Sequence, residues 1–319
     1  MKNIDVTALG ELLIDFTQNG TSEQGNLLFE ANPGGAPCNV LAMLSKLGHK
    51  TAFIGKVGKD SFGKQLKDTL EEVGIDAAHL SMDEEVHTTL ALVHTLADGD
   101  RDFSFYRNPG ADMMLTEEEI PEELIQNSRV FHFGTLSMTH EEVRKSTKRA
   151  LNIAKKAGCV ISFDPNLRPP LWDSLETAKE QVLYGLQFCD VLKISDNEIQ
   201  WLTGKEDYTD GVNWILDRFQ IPLILVSMGK DGSRAYYKGN MVEAKPFLQK
   251  NTIETTGAGD TFGGCVLHYI LEHGLESLTE DNLAEMLRFA NAAAALITTR
   301  KGALRVMPSR EEVEQTLQK

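Results

Sequence analysis

Short runs of apolar residues alternate with amphipathic stretches along most of this chain. Six of the runs are almost continuously apolar, which is typical of parallel strands that are buried on both faces. These candidate strands are Ile4–Leu9, Ala52–Val57, Val130–Phe133, Val160–Phe163, Val191–Ile194 and Leu223–Val226. Their alternation with helices predicts an α/β protein with a mostly parallel central sheet and helices on both of its faces.

Helical periodicity appears between and after these runs. The candidate helices are Lys64–Val73, Glu141–Lys156, Leu175–Phe188, Val212–Phe219, Asp260–His273 and Asn282–Thr298. No internal repeat and no linker-like segment divides the chain. We therefore interpret residues 1–319 as a single α/β domain.

Two segments, Phe16–Ala31 and Thr88–Tyr106, interrupt this rhythm because both are rich in turns. Each contains a pair typical of hairpin turns, Asn19-Gly20 in the first and Asp98-Gly99 in the second. We interpret residues 16–31 and 88–106 as one small β-sheet lid over the C-terminal edge of the main sheet, where open α/β proteins bind ligands. Two unrelated surface loops are the alternative on pattern alone.

Composition narrows the class of protein further. The formal net charge of -15 disfavours binding to nucleic acid or to an anionic membrane, since both attract basic surfaces. The longest apolar run, Ala292–Ile297, is too short to cross a bilayer. Acidic residues interrupt the N-terminal apolar positions, which argues against a signal peptide. We therefore expect a cytoplasmic protein without nucleic-acid or membrane partners.

The strongest candidate site is the segment E-T-T-G-A-G-D-T-F-G-G at residues 254–264, which leads into a helix. Gly257, Ala258 and Gly259 allow close approach of a ligand, and amides at a helix N-terminus bind phosphate. Asp260 in the first turn can accept the proton of an attacking hydroxyl group. From the residues alone, a glycine-rich turn with Asp260 as a helix cap is an equally good interpretation.

Two other glycine patterns fail to complete their motifs. Gly58–Lys64 approaches a P-loop, but Gln65 stands where that motif needs a serine or threonine. Gly257 and Gly259 begin a dinucleotide fingerprint, but Phe262 stands where its third glycine is required. Neither a P-loop enzyme nor a dinucleotide-dependent oxidoreductase is therefore favoured.

Two blocks of sequence together resemble the signatures of the ribokinase/PfkB carbohydrate kinases. The first is N-P-G-G-A-P-C-N-V at residues 32–40, with F-I-G-K-V-G at 53–58, and the second is G-A-G-D-T-F at 257–262. Both lie in the order found in that family, and the resemblance covers nearly the whole chain. It implies a ribokinase-like kinase that uses ATP and Mg²⁺, with Asp260 as the general base. The resemblance also implies that the amides of Gly257, Ala258 and Gly259 form the anion hole of such a kinase.

The resemblance also assigns residues to a sugar substrate. They are Asp15, Gly34, Gly35, Asn39, Arg107, Asn166, Arg168 and Asp260. The segments at 105–112 and 164–168 are most similar to those of fructokinases, which implies transfer of phosphate to the 6-hydroxyl of D-fructose. Similar pieces occur in 2-keto-3-deoxygluconate kinases, where Arg107 would suit a carboxylate. A kinase-fold protein that regulates a partner without catalysis is a further alternative.

From the residues alone, some of these positions have simpler interpretations. The bend at Gly34 and Gly35 is equally good as a helix-entry turn. Arg168 can bridge substrate and phosphate oxygens, and an ion pair with Asp164 is the alternative. An exposed aspartate of the lid is the alternative for Asp15.

On the nucleotide side, the resemblance assigns Lys193, Ser195, Glu198, Ser227, Gly229, Gly232, Gly257, Gly259 and Asn291. Glu198 is expected to bind Mg²⁺ through water, although Ser195 and Glu198 also form a good capping box, and both roles can hold. A K⁺ site is implied at Glu254, Thr256 and Gly302, with Glu254 in the place of the usual aspartate. Apolar residues of the lid and the resemblance together imply a homodimer formed through the lid.

Overall fold

The computed structural model describes residues 2–95 and 101–318. Its strands are β1 (Ile4–Leu9), β2 (Leu13–Thr21), β3 (Leu27–Gly34), β4 (Thr51–Gly58), β5 (Ile75–Asp76), β6 (Leu80–Asp83), β7 (Leu90–Thr95), β8 (Arg101–Tyr106), β9 (Ser128–Gly134), β10 (Val160–Asp164), β11 (Val191–Ser195), β12 (Leu223–Ser227), β13 (Ser233–Tyr237) and β14 (Asn240–Ala244). Its α-helices are α1 (Ala36–Lys46), α2 (Ser61–Glu72), α3 (Glu122–Gln126), α4 (Glu141–Lys156), α5 (Leu175–Leu186), α6 (Asp196–Thr203), α7 (Tyr208–Leu216), α8 (Ala258–His273), α9 (Glu280–Ile297) and α10 (Arg310–Leu317).

The main sheet follows the order β14-β13-β12-β11-β10-β9-β1-β4-β5, and β6 pairs with β4. Every neighbouring pair from β12 to β5 is parallel, whereas β13 and β14 are antiparallel. All six strands expected from the sequence are present, and their bounds agree within two residues. The predicted α/β fold with a mostly parallel sheet is therefore confirmed.

Helices cover both faces of the main sheet. One apolar core joins it to α1, α8, α9 and α10 through residues such as Leu41, Cys265 and Leu287. The other core joins it to α4, α5, α6 and α7, and contains the stacked rings of Phe133 and Phe163, whose centroids are 4.4 Å apart. Within residues 2–95 and 101–318, no helix is long and apolar enough to span a membrane.

Side-chain caps explain why some helices begin earlier than the apolar periodicity indicates. The Asp60 carboxylate accepts a hydrogen bond from Gly63 N at 2.8 Å, so α2 begins at Ser61. The Asp207 carboxylate caps α7 in the same way, and that helix begins four residues before Val212. Capping sets these boundaries, and a count of apolar positions does not detect it.

The separate sheet has the order β3-β2-β7-β8, in which only β2 and β7 are parallel. The prediction of a hairpin turn at Asn19-Gly20 is wrong. The chain turns at residues 22–25, where Ser22 N donates to Asn26 O at 2.8 Å, and Gly20 lies at a shift in register between β2 and β3. The φ angle of 91° at Gly20 suits such a bulge. The pair Asp98-Gly99 lies outside the described residues.

Candidate active site

The parallel strands end at a cavity of about 670 Å³ that the small sheet covers. Leu13, Thr17, Val93 and Phe105 line it from the side of the small sheet. The residues expected from the sequence that line this larger cavity are Asp15, Gly35, Asn39, Asn166, Arg168, Lys193, Glu254, Thr256, Gly257, Gly259, Asp260 and Gly302. Residues from distant parts of the chain thus meet at the C-terminal edge of the sheet, as open α/β folds predict.

A smaller cavity of about 340 Å³ lies beside the first. The residues expected from the sequence that line it are Ser227, Gly229, Gly232, Ala258, Gly259 and Asn291. Thr252, Thr255 and Gly259 line both cavities. The N-terminus of α8 therefore separates two adjoining spaces, and a group held in one can reach a group held in the other.

Asp260 is held in the first turn of α8 by a contact with α1. Asn39 Nδ2 donates to Asp260 Oδ2 at 2.8 Å. Burial raises the pKa of the Asp260 carboxyl, while the Asn39 hydrogen bond and the charges of Lys193 and Arg168 lower it, and the net change is upward. A half-buried carboxylate with a raised pKa and a fixed orientation is well suited to accept a proton.

The N-terminus of α8 is open toward the cavities. Gly257 precedes the helix with φ 75°, and a Cβ at this position would lie 2.9 Å from Ala303 Cβ, so a larger residue would be strained. No side chain among the described residues caps this helix. The amide of Ala258 is engaged, because it donates to Thr255 O at 3.2 Å. Lys193 Nζ lies 3.0 Å from the position that a Cβ of Gly259 would occupy.

Lys193 and Asp164 form a buried ion pair below this N-terminus. Lys193 Nζ is 2.9 Å from Asp164 Oδ2, so the alternative pairing of Asp164 with Arg168 is wrong. Lys193 forms the ion pair because it lies on β11, the strand next to the one that carries Asp164. Arg168 is exposed, and its guanidinium group donates to Leu167 O. Burial opposes the charge of Lys193, but nearby carboxylates outweigh it and the pKa of its ammonium group is raised.

Asp164 keeps one polar atom without a partner. Its Oδ1 is buried and accepts no hydrogen bond from any described residue. Burial raises the pKa of this carboxyl to about 6; Lys193 opposes the rise, and the charges of Glu198 and Asp260 add to it. A buried carboxylate oxygen with no donor is costly unless a ligand satisfies it.

Glu198 connects two segments of the site. Its Oε2 accepts from Ser195 N and Ser195 Oγ, so the capping box expected from the sequence is present. Its Oε1 accepts from Leu167 N at 2.7 Å, which holds the loop that carries Asn166 and Arg168. Asn166 adopts φ 45°, a left-handed conformation that asparagine tolerates better than most residues. Ser195 and Glu198 themselves line neither cavity.

Glu11 is a cavity residue that the sequence argument missed. It is 4% exposed, lines the larger cavity, and its Oε1 accepts from Ala36 N at 2.8 Å at the start of α1. Burial raises the pKa of Glu11 to about 7. The signal was available, because Glu11 lies two residues after the apolar strand β1 and directly before the apolar run Leu12–Ile14, where a solvated carboxylate is not expected.

Gly34 and Gly35 are required by close contacts around Asp15 and Glu11. A Cβ on Gly34 would lie 2.4 Å from Asp15 Oδ2. Gly35 has φ 136°, and its Cβ would lie 2.4 Å from Glu11 O. Gly34 does not line the cavity; it allows the carboxylate of Asp15 to occupy the place beside it.

Arg107 lies beside the cavity wall and is not among its lining residues. Its Nε donates to Asp112 Oδ2 at 2.8 Å, and its Nη2 donates to Leu136 O at 3.0 Å. Thr139 accepts a third hydrogen bond. Because the guanidinium group is buried and bonded on several sides, a direct sugar contact by Arg107 stays a prediction that this geometry does not support.

Other expected residues are held by the fold itself. The Asn291 side chain accepts from Ser233 Oγ and donates to Ala244 O and Lys245 O, so it joins α9 to β13 and β14. Glu254 Oε1 accepts from Gly302 N at 2.8 Å, which ties the segment before α8 to the segment after α9. Each residue lines a cavity while it also joins elements of its wall.

The model of the pfkB family carbohydrate kinases matches residues 3–310. The chain belongs to this family. The match covers both sequence blocks and every strand of the two sheets, so the predicted membership is confirmed.

Similar proteins agree with the family over their full length. Fructokinase-1 of Zea mays is 42% identical over 316 residues, which is 98% of this chain and 98% of that protein. The solved structure of a fructokinase from Xylella fastidiosa with bound ATP has a TM-score of 0.90 and 29% identity, with 100% of this chain and 99% of that one covered. A fructokinase from Vibrio cholerae O395, solved with fructose, ADP and calcium ion, has a TM-score of 0.89 and 31% identity, with 99% and 100% covered.

Proposed function

We propose that this protein is an ATP-dependent fructokinase that transfers the γ-phosphoryl group of ATP to the 6-hydroxyl of D-fructose. The observation that carries the proposal is the position of Asp260 at the open N-terminus of α8, which separates the two cavities. In the family, this arrangement serves phosphoryl transfer between a sugar and a nucleotide. The names of the similar proteins support fructose as the sugar.

In this mechanism the sugar occupies the larger cavity and Asp260 acts as the general base. The 6-hydroxyl oxygen forms a bond to the γ-phosphorus, the bond between that phosphorus and the ADP oxygen breaks, and the hydroxyl proton moves to Asp260. The hydrogen bond from Asn39 keeps the carboxylate oriented toward the cavity. The raised pKa of Asp260 makes it a better proton acceptor than an ordinary exposed aspartate.

Positive charge at the junction of the cavities suits the transferring phosphoryl group. The amides of Gly257 and Gly259 and the ammonium group of Lys193 lie at this junction, and Ala258 shapes the turn. Backbone amides at a helix N-terminus stabilise negative charge that develops in a transition state. We assign these groups to the anion hole.

The larger cavity offers several hydrogen-bonding groups for a polyhydroxylated ligand. Asp15, Asn39 and Asn166 provide oxygen acceptors and amide donors, and Arg168 provides an exposed guanidinium group. Arg107 supports the wall at Leu136. The nucleotide is assigned to the smaller cavity, between the turn at Ser227–Gly232 and the small residues Ala294 and Ala295 of α9.

The role of Glu198 toward Mg²⁺ through water stays a prediction, because both of its oxygens accept hydrogen bonds from Ser195 and Leu167 and it lines neither cavity. The neighbouring carboxylate of Asp164 suits a Mg²⁺ ion better. Hard oxygen ligands suit this ion, and the unpartnered Oδ1 of Asp164 is an acceptor that a metal-bound water molecule can satisfy. Mg²⁺ would neutralise charge on the phosphate oxygens when bound. For K⁺, Glu254, Thr256 and Gly302 line the same cavity, but the carboxylate of Glu254 already accepts from Gly302 N. We expect a modest activation by K⁺, to be tested against another monovalent cation at constant ionic strength.

The remaining expectations concern assembly and location. We propose one domain with a lid built from residues 16–31 and 88–106, and a homodimer formed through that lid. Leu27 and Leu28 at its rim are 54% and 47% exposed, which supports an apolar contact there. Light scattering tests this directly, and a monomer at assay concentration contradicts it. We expect the protein to act in the cytoplasm.

The decisive experiment is an ADP-release assay with Mg-ATP and a panel of sugars. Fructose, glucose, ribose, tagatose and 2-keto-3-deoxygluconate are compared at equal concentration. Turnover with fructose, together with loss of turnover in the variant Asp260→Asn, supports the proposal. Turnover with 2-keto-3-deoxygluconate alone replaces the sugar and keeps the mechanism, whereas no turnover with any sugar contradicts the proposed activity.

A further inference from the structure

Three potential metal-ligating side chains lie together at the edge of the main sheet opposite the active site. They are His49, His268 and Glu272, and we call them the histidine cluster. His49 lies between α1 and β4, while His268 and Glu272 lie four residues apart on α8 and so share one face of that helix. The ligand atoms of the three side chains lie within 4.8 Å of one another.

The two imidazole rings face each other through nitrogen atoms. His49 Nε2 and His268 Nδ1 are 2.7 Å apart, so a single proton joins them. His268 is 3% exposed, whereas Glu272 is exposed at the solvent side. Two imidazole nitrogens and a carboxylate oxygen form a donor set that borderline divalent metals prefer, with solvent able to supply a further ligand.

We propose that the histidine cluster binds one divalent transition-metal ion of the zinc type. Zn–N bonds of about 2.0 to 2.1 Å in a tetrahedral site place two nitrogen ligands about 3.3 Å apart. The two nitrogens must therefore separate by about 0.6 Å from their present 2.7 Å as the ion replaces the shared proton. The His49 side chain is 9% exposed and belongs to the loop between α1 and β4, so the proposal requires this ring to rotate by that amount.

A carboxylate stands behind His49, as is common around metal-bound histidines. Asp5 Oδ2 lies 3.7 Å from His49 Nδ1, the ring nitrogen that faces away from His268. Lys50 N donates to Asp5 Oδ2 at 2.9 Å and Arg129 Nη1 donates to Asp5 Oδ1 at 3.1 Å, so the carboxylate is held in place. Such a partner favours the ring tautomer that leaves Nε2 free to bind a metal.

Two arginines near the cluster carry charge that opposes a cation. Arg129 is paired with Asp5, and Arg310 is paired with Glu314 at 3.1 Å. Their charges are therefore offset locally. With Glu272 as an anionic ligand, the charge balance permits a divalent ion.

The proposed ion joins the loop before β4 to the C-terminal half of α8. His268 lies eight residues after Asp260, which corresponds to about 12 Å along the helix. This distance places the ion too far away to take part in phosphoryl transfer. We therefore expect the ion to raise the melting temperature and to leave kcat unchanged.

The test uses the full-length protein after treatment with a chelator. Zn²⁺ alone is titrated into it by calorimetry, and Co²⁺ alone is used for visible absorption, which reports the coordination number. We expect one ion per chain and a tetrahedral Co²⁺ spectrum. His49→Gln and Glu272→Gln should each weaken binding at least tenfold, and Asp5→Asn should weaken it by about tenfold.

Matched substitutions provide the controls. His79→Gln and Glu180→Gln change exposed residues outside the cluster and should leave the affinity unchanged. Since replacement of the buried His268 can disturb folding, Glu272→Gln at the exposed ligand is the main test, with folding checked by circular dichroism. Absence of Zn²⁺ binding, or binding that survives His49→Gln and Glu272→Gln, overturns the proposal. None of these measurements depends on kinase activity, so failure of the metal-site proposal and failure of the proposed fructokinase function can be distinguished.

Discussion

The two cavities that meet at Gly259 differ in how their walls are made. The larger one is lined by charged and amide side chains, among them Glu11, Asp15, Asn39 and Asp260. The smaller one is lined by glycine-containing turns and by small or apolar residues such as Ala294 and Phe262. The wall of the larger cavity can form directed hydrogen bonds with a ligand. The wall of the smaller cavity contacts a ligand mainly through van der Waals packing and backbone groups.

This difference indicates where selectivity arises. A site that hydrogen-bonds hydroxyl groups rejects analogues that lack them, because its buried polar groups are then left without partners. A site of glycines and alanines discriminates mainly by steric fit. Substitutions in the larger cavity should therefore affect chemistry and sugar affinity, and substitutions in the smaller cavity should affect nucleotide affinity alone.

The largest effect is expected for Asp260→Asn. The amide cannot accept the hydroxyl proton, so kcat should fall about 10³-fold, within the range for loss of a general base. Asn39 can still donate to the new side chain, which preserves the local geometry. Steady-state kinetics measures the change, with the exposed substitution Asp217→Asn as the control. A variant that keeps kcat within threefold of the original would remove Asp260 from its assigned role.

Next in size is the pH dependence of stability caused by Glu11. Its pKa is raised from an ordinary 4.5 to about 7 in the folded protein, so folding is favoured when the carboxyl is protonated, and stability is lost as pH rises through 7. Glu11→Gln removes this ionisation and keeps an acceptor for Ala36 N. The free energy of unfolding of the variant minus that of the original protein should therefore increase by about 2 kcal/mol as the pH rises from about 5 to about 8.

Urea denaturation at both pH values measures this difference. The exposed Glu23→Gln, which makes the same chemical change away from the cavity, serves as the control. A pH-independent difference between Glu11→Gln and the original protein would show that Glu11 has an ordinary pKa.

A smaller effect is expected for Gly34→Ala on the sugar side. The new Cβ would lie 2.4 Å from Asp15 Oδ2, so the carboxylate must move out of its present place. The KM for the sugar should rise about tenfold, or about 1.4 kcal/mol, while the KM for ATP stays unchanged. Gly263→Ala on α8 is the control, because its Cβ would make an ordinary 3.8 Å contact with Val40. An equal rise in both KM values would contradict the separation of the two cavities.

The smallest effect is expected for Ala295→Leu on the nucleotide side. The larger side chain fills part of the smaller cavity, so the KM for ATP should rise about fivefold with the sugar KM unchanged. Ala284→Leu, on the same helix but outside both cavities, provides the comparison. If only the sugar KM responds to Ala295→Leu, the assignment of the nucleotide to this cavity is wrong.

Local patterns in the sequence predicted the main sheet well and the small sheet less well. A strand buried on both faces, such as β12 with its four buried residues Leu223–Val226, produces a continuous apolar run that is rare in surface elements. The small sheet is half exposed, and its turn at residues 22–25 was misplaced to Asn19-Gly20, where the structure has a bulge. A glycine with positive φ serves either feature, so the dipeptide alone does not distinguish them.

By itself, the sequence determined the fold class, the family and the segment that carries Asp260, since these depend on local periodicity and on residues adjacent in the chain. Only the tertiary structure decided which side chains meet. It paired Asp164 with Lys193, held Arg107 against Asp112, and brought Glu11 to the cavity wall. Such contacts join residues far apart in the chain, as for Asp164 and Lys193, or depend on the conformation of a loop, as for Arg107 and Asp112. The competition among charged groups for buried partners is settled by distance and desolvation in the folded protein.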